Sequence, residues 1–221
     1  MAYVAIIGDI VSSRQLENRS EVQEAFIETM NAINKRYINN IASDFLVTLG
    51  DEFQGLLCDG EEALSIVHEI ERMMDPIAFR FGIGIGEIDT EIQRDKALGA
   101  DGPAYHNARN AIDTLKKLEK ARPRKTGNIL IVSFRDSDNI RLCNIMLDMM
   151  KAIESKWTPR QKEVIRTTLA NRSTQAETAL ALKMKQPNVA RSLGEGFYDT
   201  YRNGFDEITR ILKEESCSSN I

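Results

Sequence analysis

The order in which two hydrophobic periodicities alternate along the first two-thirds of the chain constrains it more than any other feature. Tyr3–Ile10 is a β-branched apolar run that includes Gly8 and Asp9, the pattern of a buried strand. Val22, Phe26, Met30, Ile33 and Tyr37 then recur at spacings of three and four, which predicts a helix over 19–38 with one apolar stripe. Residues 45–49 and 53–57 are two short apolar runs separated only by Gly50, Asp51 and Glu52, so a tight hairpin is expected with Asp51 at its tip. Leu64, Val67, Ile70 and Met74 form a second helical stripe, which must end before Pro76 because the residue preceding proline avoids the helical region. A glycine-rich strand over 79–88 follows, then a helix carrying Ala104, Ala108, Ala111, Ile112, Leu115 and Leu118, then a strand over 129–132. Strand, helix, hairpin, helix, strand is an α+β order, expected to make an antiparallel sheet with helices on one face.

The chain of 221 residues is 42% hydrophobic, enough for a sizeable core. No stretch reaches the roughly 18 consecutive apolar residues that a spanning helix needs, and residues 1–11 lack the pattern of a secretory signal, so no membrane association is expected. Three cysteines, Cys58, Cys143 and Cys217, lack a CxxC spacing and have only His68 and His106 as possible co-ligands, which suits a reducing cytoplasm without structural zinc. Charge divides the chain. Up to Met150 there are 17 basic against 24 acidic residues, net −7; beyond it there are 12 against 9, net +3. An acidic front module and a mildly basic rear one are expected, and only the rear one suits nucleic acid.

The boundaries follow from pattern: a front domain over 1–137, a connecting helix over 138–156 with Ile140, Cys143, Leu147 and Met150, and a rear unit over 157–221. Thr158 is expected as an N-cap with Pro159 at the first helical position. Short helices over 161–170 and 175–182, a turn over 183–186 and a long helix over 187–212 should follow, with a frayed tail from Glu214.

Asp9 at a strand end and Asp51 at a hairpin tip would converge in such a sheet. With the carbonyl of Ile10 they offer hard oxygen ligands for Mg²⁺ or Mn²⁺. Val11, Ser12 and Ser13 could present backbone N–H groups and hydroxyls to phosphates, and Arg14 a charge. Equally, both aspartates suit purely local turn and cap roles, and Glu52 is expected to be a solvated turn residue. Arg122, Arg124 and Lys125 form a basic loop that could meet a triphosphate or simply be solvated. Gly82, Gly84 and Gly86 lack dinucleotide-fingerprint spacing and should instead admit a helix or a second protomer, while His68 is expected at a surface or edge.

GDIVSS (8–13), TLGDEFQGLL (48–57), RFGIGIG (80–86) and GPAYHNAR (102–109) occur in the order of the class III nucleotidyl cyclase core, and the second string also resembles the hairpin of GGDEF domains. The whole chain resembles the SatD family, a bacterial family with a cyclase-like front half. The resemblance implies a ferredoxin-like, palm-type front domain over 2–134. It makes Asp9 and Asp51 the metal-binding aspartates, Asp101 a base contact, and His106 and Arg109 the catalytic positions of the fourth string. It also puts Val47 where adenylyl cyclases read the base with lysine, and Asn110 where the transition-state arginine belongs, so Arg109 stands one residue early. A site shared between two protomers, hence a homodimer, is implied as well.

WTPRQKEVI (157–165) and AETALALKMKQPNVARSL (176–193) resemble the helix-turn-helix of sigma-like and LuxR-like DNA readers. That resemblance implies that Lys185, Gln186, Asn188, Arg191 and Ser192 face DNA, with Arg160, Arg172 and Lys183 on its backbone. A helical arm that only packs or dimerises has the same apolar pattern. The readings that result are a nucleotide- and metal-binding regulator with a DNA-binding rear module, or an active cyclase or nucleotidyltransferase with a dimerising one.

Overall fold

In the computed structural model, which describes residues 2–13, 18–48, 50–95, 100–121, 127–135 and 137–217, the first apolar run is β1 (Tyr3–Ile10), the middle strand of a five-stranded sheet. It pairs antiparallel with β3 (Glu52–Leu57) on one side and β4 (Phe79–Gly86) on the other. β2 (Ile41–Val47) pairs antiparallel with β3 through the hairpin, where Gly50 takes a φ of +74°. These four strands have the ferredoxin-like order. β5 (Ile129–Ser133) adds a parallel partner to β4 and makes the sheet mixed, with the order β2-β3-β1-β4-β5.

Helices cover both faces rather than one. Phe26, Met30 and Ile33 of α1 (Arg19–Arg36) and Leu64, Val67 and Ile70 of α2 (Ala63–Met73) pack over Phe53, Phe79 and Phe81 in the main core. On the opposite face α3 (Pro103–Ala121) places Ala104, Tyr105, Ala108 and Ile112 over Ala5, Ile7 and Leu56. β1 is therefore apolar at almost every position: Val4 and Ile6 face one layer, Ala5 and Ile7 the other. The glycines of β4 admit α3. A Cβ on Gly84 would stand 2.1 Å from the Ala104 carbonyl oxygen and 2.3 Å from the Ala108 nitrogen.

The packing runs across the boundaries expected at 138 and 157. α4 (Asp138–Glu154) contributes Ile140, Cys143, Leu147 and Met150 to the main core, and α8 (Tyr198–Cys217) contributes Tyr201, Phe205, Ile208 and Leu212. Between them α5 (Pro159–Asn171), α6 (Gln175–Ala181) and α7 (Gln186–Glu195) close a small core of Val164, Ile165, Ala179, Val189 and Leu193. Thr158 caps α5 in a capping box with Gln161, and Thr174 caps α6 with Glu177.

The single helix expected over 187–212 is two. Phe197 takes a φ of +55°, and Trp157 Nε1 donates to the Gly196 carbonyl at 2.8 Å, so α7 ends and the chain turns before α8. The tail expected to fray from Glu214 stays helical to Cys217. Ser216 is buried, and its hydroxyl accepts the Gly60 N–H at 3.0 Å. No helix among the described residues is long and apolar enough to cross a membrane.

Candidate functional site

Asp9 closes β1 on the face covered by α3, and its register partners are Glu52 on β3 and Arg80 on β4. Both carboxylates are 7% exposed, and like charges directly opposite on a sheet repel, so the pair needs cations. Lys116 of α3 reaches Asp9 Oδ2 at 2.7 Å, and Arg80 Nη1 donates to Asp9 Oδ1 at 3.2 Å. The other edge of the Arg80 guanidinium is held by Glu119 at 2.6 and 2.9 Å. Burial acts to lower the pKa of Arg80, but the bonds to Glu119 and the charge of Asp9 outweigh it and raise it. Arg109 grips Glu52 with both Nη atoms, at 2.5 and 2.7 Å, and that bond raises its pKa.

Asp51 sits next to this row because the hairpin folds back: its carbonyl accepts the Ile10 N–H at 2.9 Å, and its Oδ2 accepts from Ser13 Oγ at 2.5 Å. Asp9, Ile10, Asp51, Ser12 and Ser13 line one cleft of about 640 Å³, whose rim carries Lys116 and Lys120. The donors fit a hard divalent cation. Glu119 also lines the cleft but is bound to Arg80, and among the described residues no three acidic, histidine or cysteine groups are placed to hold a metal together, so the remaining positions would fall to water and phosphate oxygens, the usual mode of Mg²⁺. Lys116 and a metal ion would compete for the same Asp9 oxygen.

The structure brings Asp9, Ile10, Ser12, Ser13 and Asp51 together but not the other expected residues. The Val11 N–H is committed to the Ala78 carbonyl at 2.8 Å, so it offers nothing to a phosphate. Arg109 is engaged with Glu52 outside the cleft lining. His106 lies at the far end of α3, ten residues or about 15 Å along the axis from Lys116. It is exposed, with Nε2 at 2.9 Å from the equally exposed Asp101. Val47 packs against the main core, and Asn110 is exposed on α3. Arg14, Arg124 and Lys125 lie outside the described residues. Lys185, Gln186, Asn188 and Arg191 form an exposed polar face of α7, with Ser192 half-buried beside them.

One expectation needs correction. Glu52 is no solvated turn residue; it opens β3 and is buried against Arg109. His68 is half-buried at an edge; it lies against Tyr201 and Phe205 with ring centroids at 6.0 and 5.2 Å, and burial lowers its pKa. Arg80, Lys116 and Lys120 went unnoticed in the sequence. The signal for Lys116 and Lys120 was their i,i+4 spacing on one helix face with Glu119; the signal for Arg80 appears only once the β1–β4 register is known.

The SatD family model matches residues 3–192. No curated protein sequence matches the chain. Among solved structures, a bacterial light-regulated adenylyl cyclase is 13% identical, covering 71% of this chain and 81% of that one with a TM-score of 0.42. The dimeric guanylyl cyclase domain of the RhoGC fusion protein from the aquatic fungus Blastocladiella emersonii is 18% identical, covering 50% and 73% with a TM-score of 0.39. The guanylate cyclase domain of RhGC from Catenaria anguillulae, in complex with GTP, is 18% identical, covering 50% and 70% with a TM-score of 0.36.

Proposed function

The chain belongs to the SatD family, and we propose that it is a two-part regulator. A nucleotide bound with Mg²⁺ or Mn²⁺ occupies the Asp9–Asp51 cleft, and the helix-turn-helix of α5 to α7 binds DNA. The observation that carries the nucleotide half is the shared cleft itself, lined by the carboxylates of Asp9, Asp51 and Glu119 and by the cationic groups of Arg80, Lys116 and Lys120. A divalent ion held there would supply charge neutralisation for a bound phosphate. Asp9, Asp51 and the Ile10 carbonyl would hold it, while Ser12, Ser13, Arg14, Arg124 and Lys125 are the candidates for phosphate.

An active cyclase or nucleotidyltransferase is the second reading, favoured by the same two aspartates. It requires His106, Arg109 and Asp101 to come from a second protomer, because one protomer keeps them out of the cleft. A homodimer is part of both readings.

Wild-type protein with GTP or ATP and Mn²⁺ at 100 times Kd should gain about 2.7 kcal/mol, roughly 5–11 °C in Tm for a chain of this size, by differential scanning fluorimetry. Asp51→Ala should abolish the gain. Chromatography with mass detection after incubation with the four triphosphates then separates the readings. Intact triphosphates with a retained Tm gain support the regulator; a product lost in Asp51→Ala makes the protein an enzyme; no gain with any triphosphate removes the nucleotide site.

For the DNA half, α7 turns Lys185, Gln186, Asn188 and Arg191 outward while Val189 and Leu193 fill the small core. Arg191→Ala should weaken duplex binding about tenfold in fluorescence anisotropy at low salt, within the range of about 1–3 kcal/mol for one specific arginine contact. Absence of any DNA affinity at low salt, with or without nucleotide, would reject this half.

A further inference from the structure

Four arginines from three stretches of chain line a recess of about 420 Å³ between α1, α2, α5 and α8, away from the Asp9–Asp51 cleft. Arg36 comes from the last turn of α1, Arg72 from α2, Arg166 from α5 and Arg172 from just beyond it. One carboxylate, Glu62, shares the lining. Three of the guanidiniums are already partnered: Arg36 and Arg72 with Glu69 at 2.9 and 3.6 Å, and Arg166 with Glu154 at 2.6 Å. Arg172 has no ion pair among the described residues. Its backbone is held at φ +47° with its N–H on the Leu169 carbonyl at 3.2 Å, and its exposed side chain is part of the recess lining.

The remaining wall is mixed: Tyr37, Leu169 and Phe205 give it apolar and aromatic surface, and Asn40, Ser65, His68 and Asn171 add polar groups. A volume of this size lies in the range of small-molecule sites, where an apolar wall takes most of a ligand and a few polar groups orient it. Guanidinium is also the side chain best matched to phosphate, through forked, charge-assisted bonds. We propose that the recess binds a phosphomonoester of nucleoside-monophosphate size, its phosphate on Arg172, Arg36 and Arg72 and its ring against Tyr37, Leu169 and Phe205.

This site shares no lining residue with the Asp9–Asp51 cleft and contains no pair of carboxylates, so it needs no metal ion. Its ligand touches α1 and α2 on one side and α5 on the other, joining the sheet domain to the α5–α7 unit. No residue of α6 or α7 lines it, so the polar face of α7 stays open while the recess is filled.

Isothermal titration of the full chain in EDTA with the four nucleoside 5′-monophosphates, with adenosine and inorganic phosphate as controls, tests the proposal. At least one monophosphate should bind one per chain and at least tenfold more tightly than either control. Asp51→Ala should bind it as wild type does. Arg172→Asn, which tolerates the left-handed backbone, should weaken it about tenfold, and so should Arg36→Gln. The proposal is overturned by absence of binding for all four monophosphates, by binding that requires Mg²⁺ or disappears in Asp51→Ala, or by wild-type affinity in both arginine variants.

Discussion

Gly84→Ala should cost about 3 kcal/mol or more, lowering Tm by roughly 6–12 °C for a chain of this length. The methyl group would have to occupy space now filled by backbone, 2.1 Å from the Ala104 oxygen and 2.3 Å from the Ala108 nitrogen, and no side-chain rotation can relieve that. α3 must lift from β4. Because α3 carries both Lys116 and Arg109, the same movement should withdraw the cations from Asp9 and Glu52 and leave two facing carboxylates poorly compensated. Gly194→Ala is the matched control: its Cβ meets nothing within 4 Å, it lies on a helix, and it should be neutral or slightly stabilising. Urea unfolding of both variants checks this, and a wild-type midpoint for Gly84→Ala would show that α3 does not need the close approach.

Arg166→Met should destabilise by about 3 kcal/mol at neutral pH, the low end for breaking a buried ion pair, because Lys151 still partners Glu154. Arg166 links α5 to α2 and α4, beside the Lys162–Asp75 pair and the packing of Leu169 on the main core. It reaches Glu154 of α4 at 2.6 Å and Glu71 of α2 at 3.5 Å, and Lys151 completes the group by reaching Glu154 at 2.9 Å. Burial acts to raise the Glu154 carboxyl, but the charges of Lys151 and Arg166 prevail and hold it at about 2, against an ordinary value of 4.5. A carboxyl depressed in the folded state adds stability above its unfolded pKa and loses it as pH falls toward the folded value. Stability on the order of 3 kcal/mol should therefore disappear between about pH 5 and pH 2. His68 acts in the same direction at higher pH. Burial lowers its pKa below 6.5, so unfolding takes up a proton and stability falls as the solution is acidified through that range. Urea midpoints from pH 7 to pH 3 should decline in wild type and decline less between pH 5 and pH 3 in Glu154→Gln. An equal decline in both would show that Glu154 is not responsible.

Part of the candidate site was readable in the sequence because it rests on local chemistry. Asp9 ends an apolar run and Asp51 occupies a three-residue gap between two strands, so turn length and alternation were enough to suggest that they meet. The cations around them were not readable in that way. Arg80 meets Asp9 across 71 residues and Arg109 meets Glu52 across 57, and which residues stand opposite depends on strand register, which a slip of one position would reverse. Glu52 looked like a turn residue for the same reason: its burial comes from α3, which the local pattern does not place.

By itself the sequence determined the order of strands and helices, the cap at Thr158 and the apolar faces, since periodicity, capping and turn chemistry act over a few residues. Only the tertiary structure decided that α3 lies on the opposite face of the sheet from α1 and α2, that α7 and α8 part at Phe197, and that α8 returns to the main core. That return brings Ser216 to Gly60 across 156 residues. An amphipathic helix has one face to bury and no local preference for which partner covers it; the partner is set by which remaining apolar surfaces the rest of the chain leaves open.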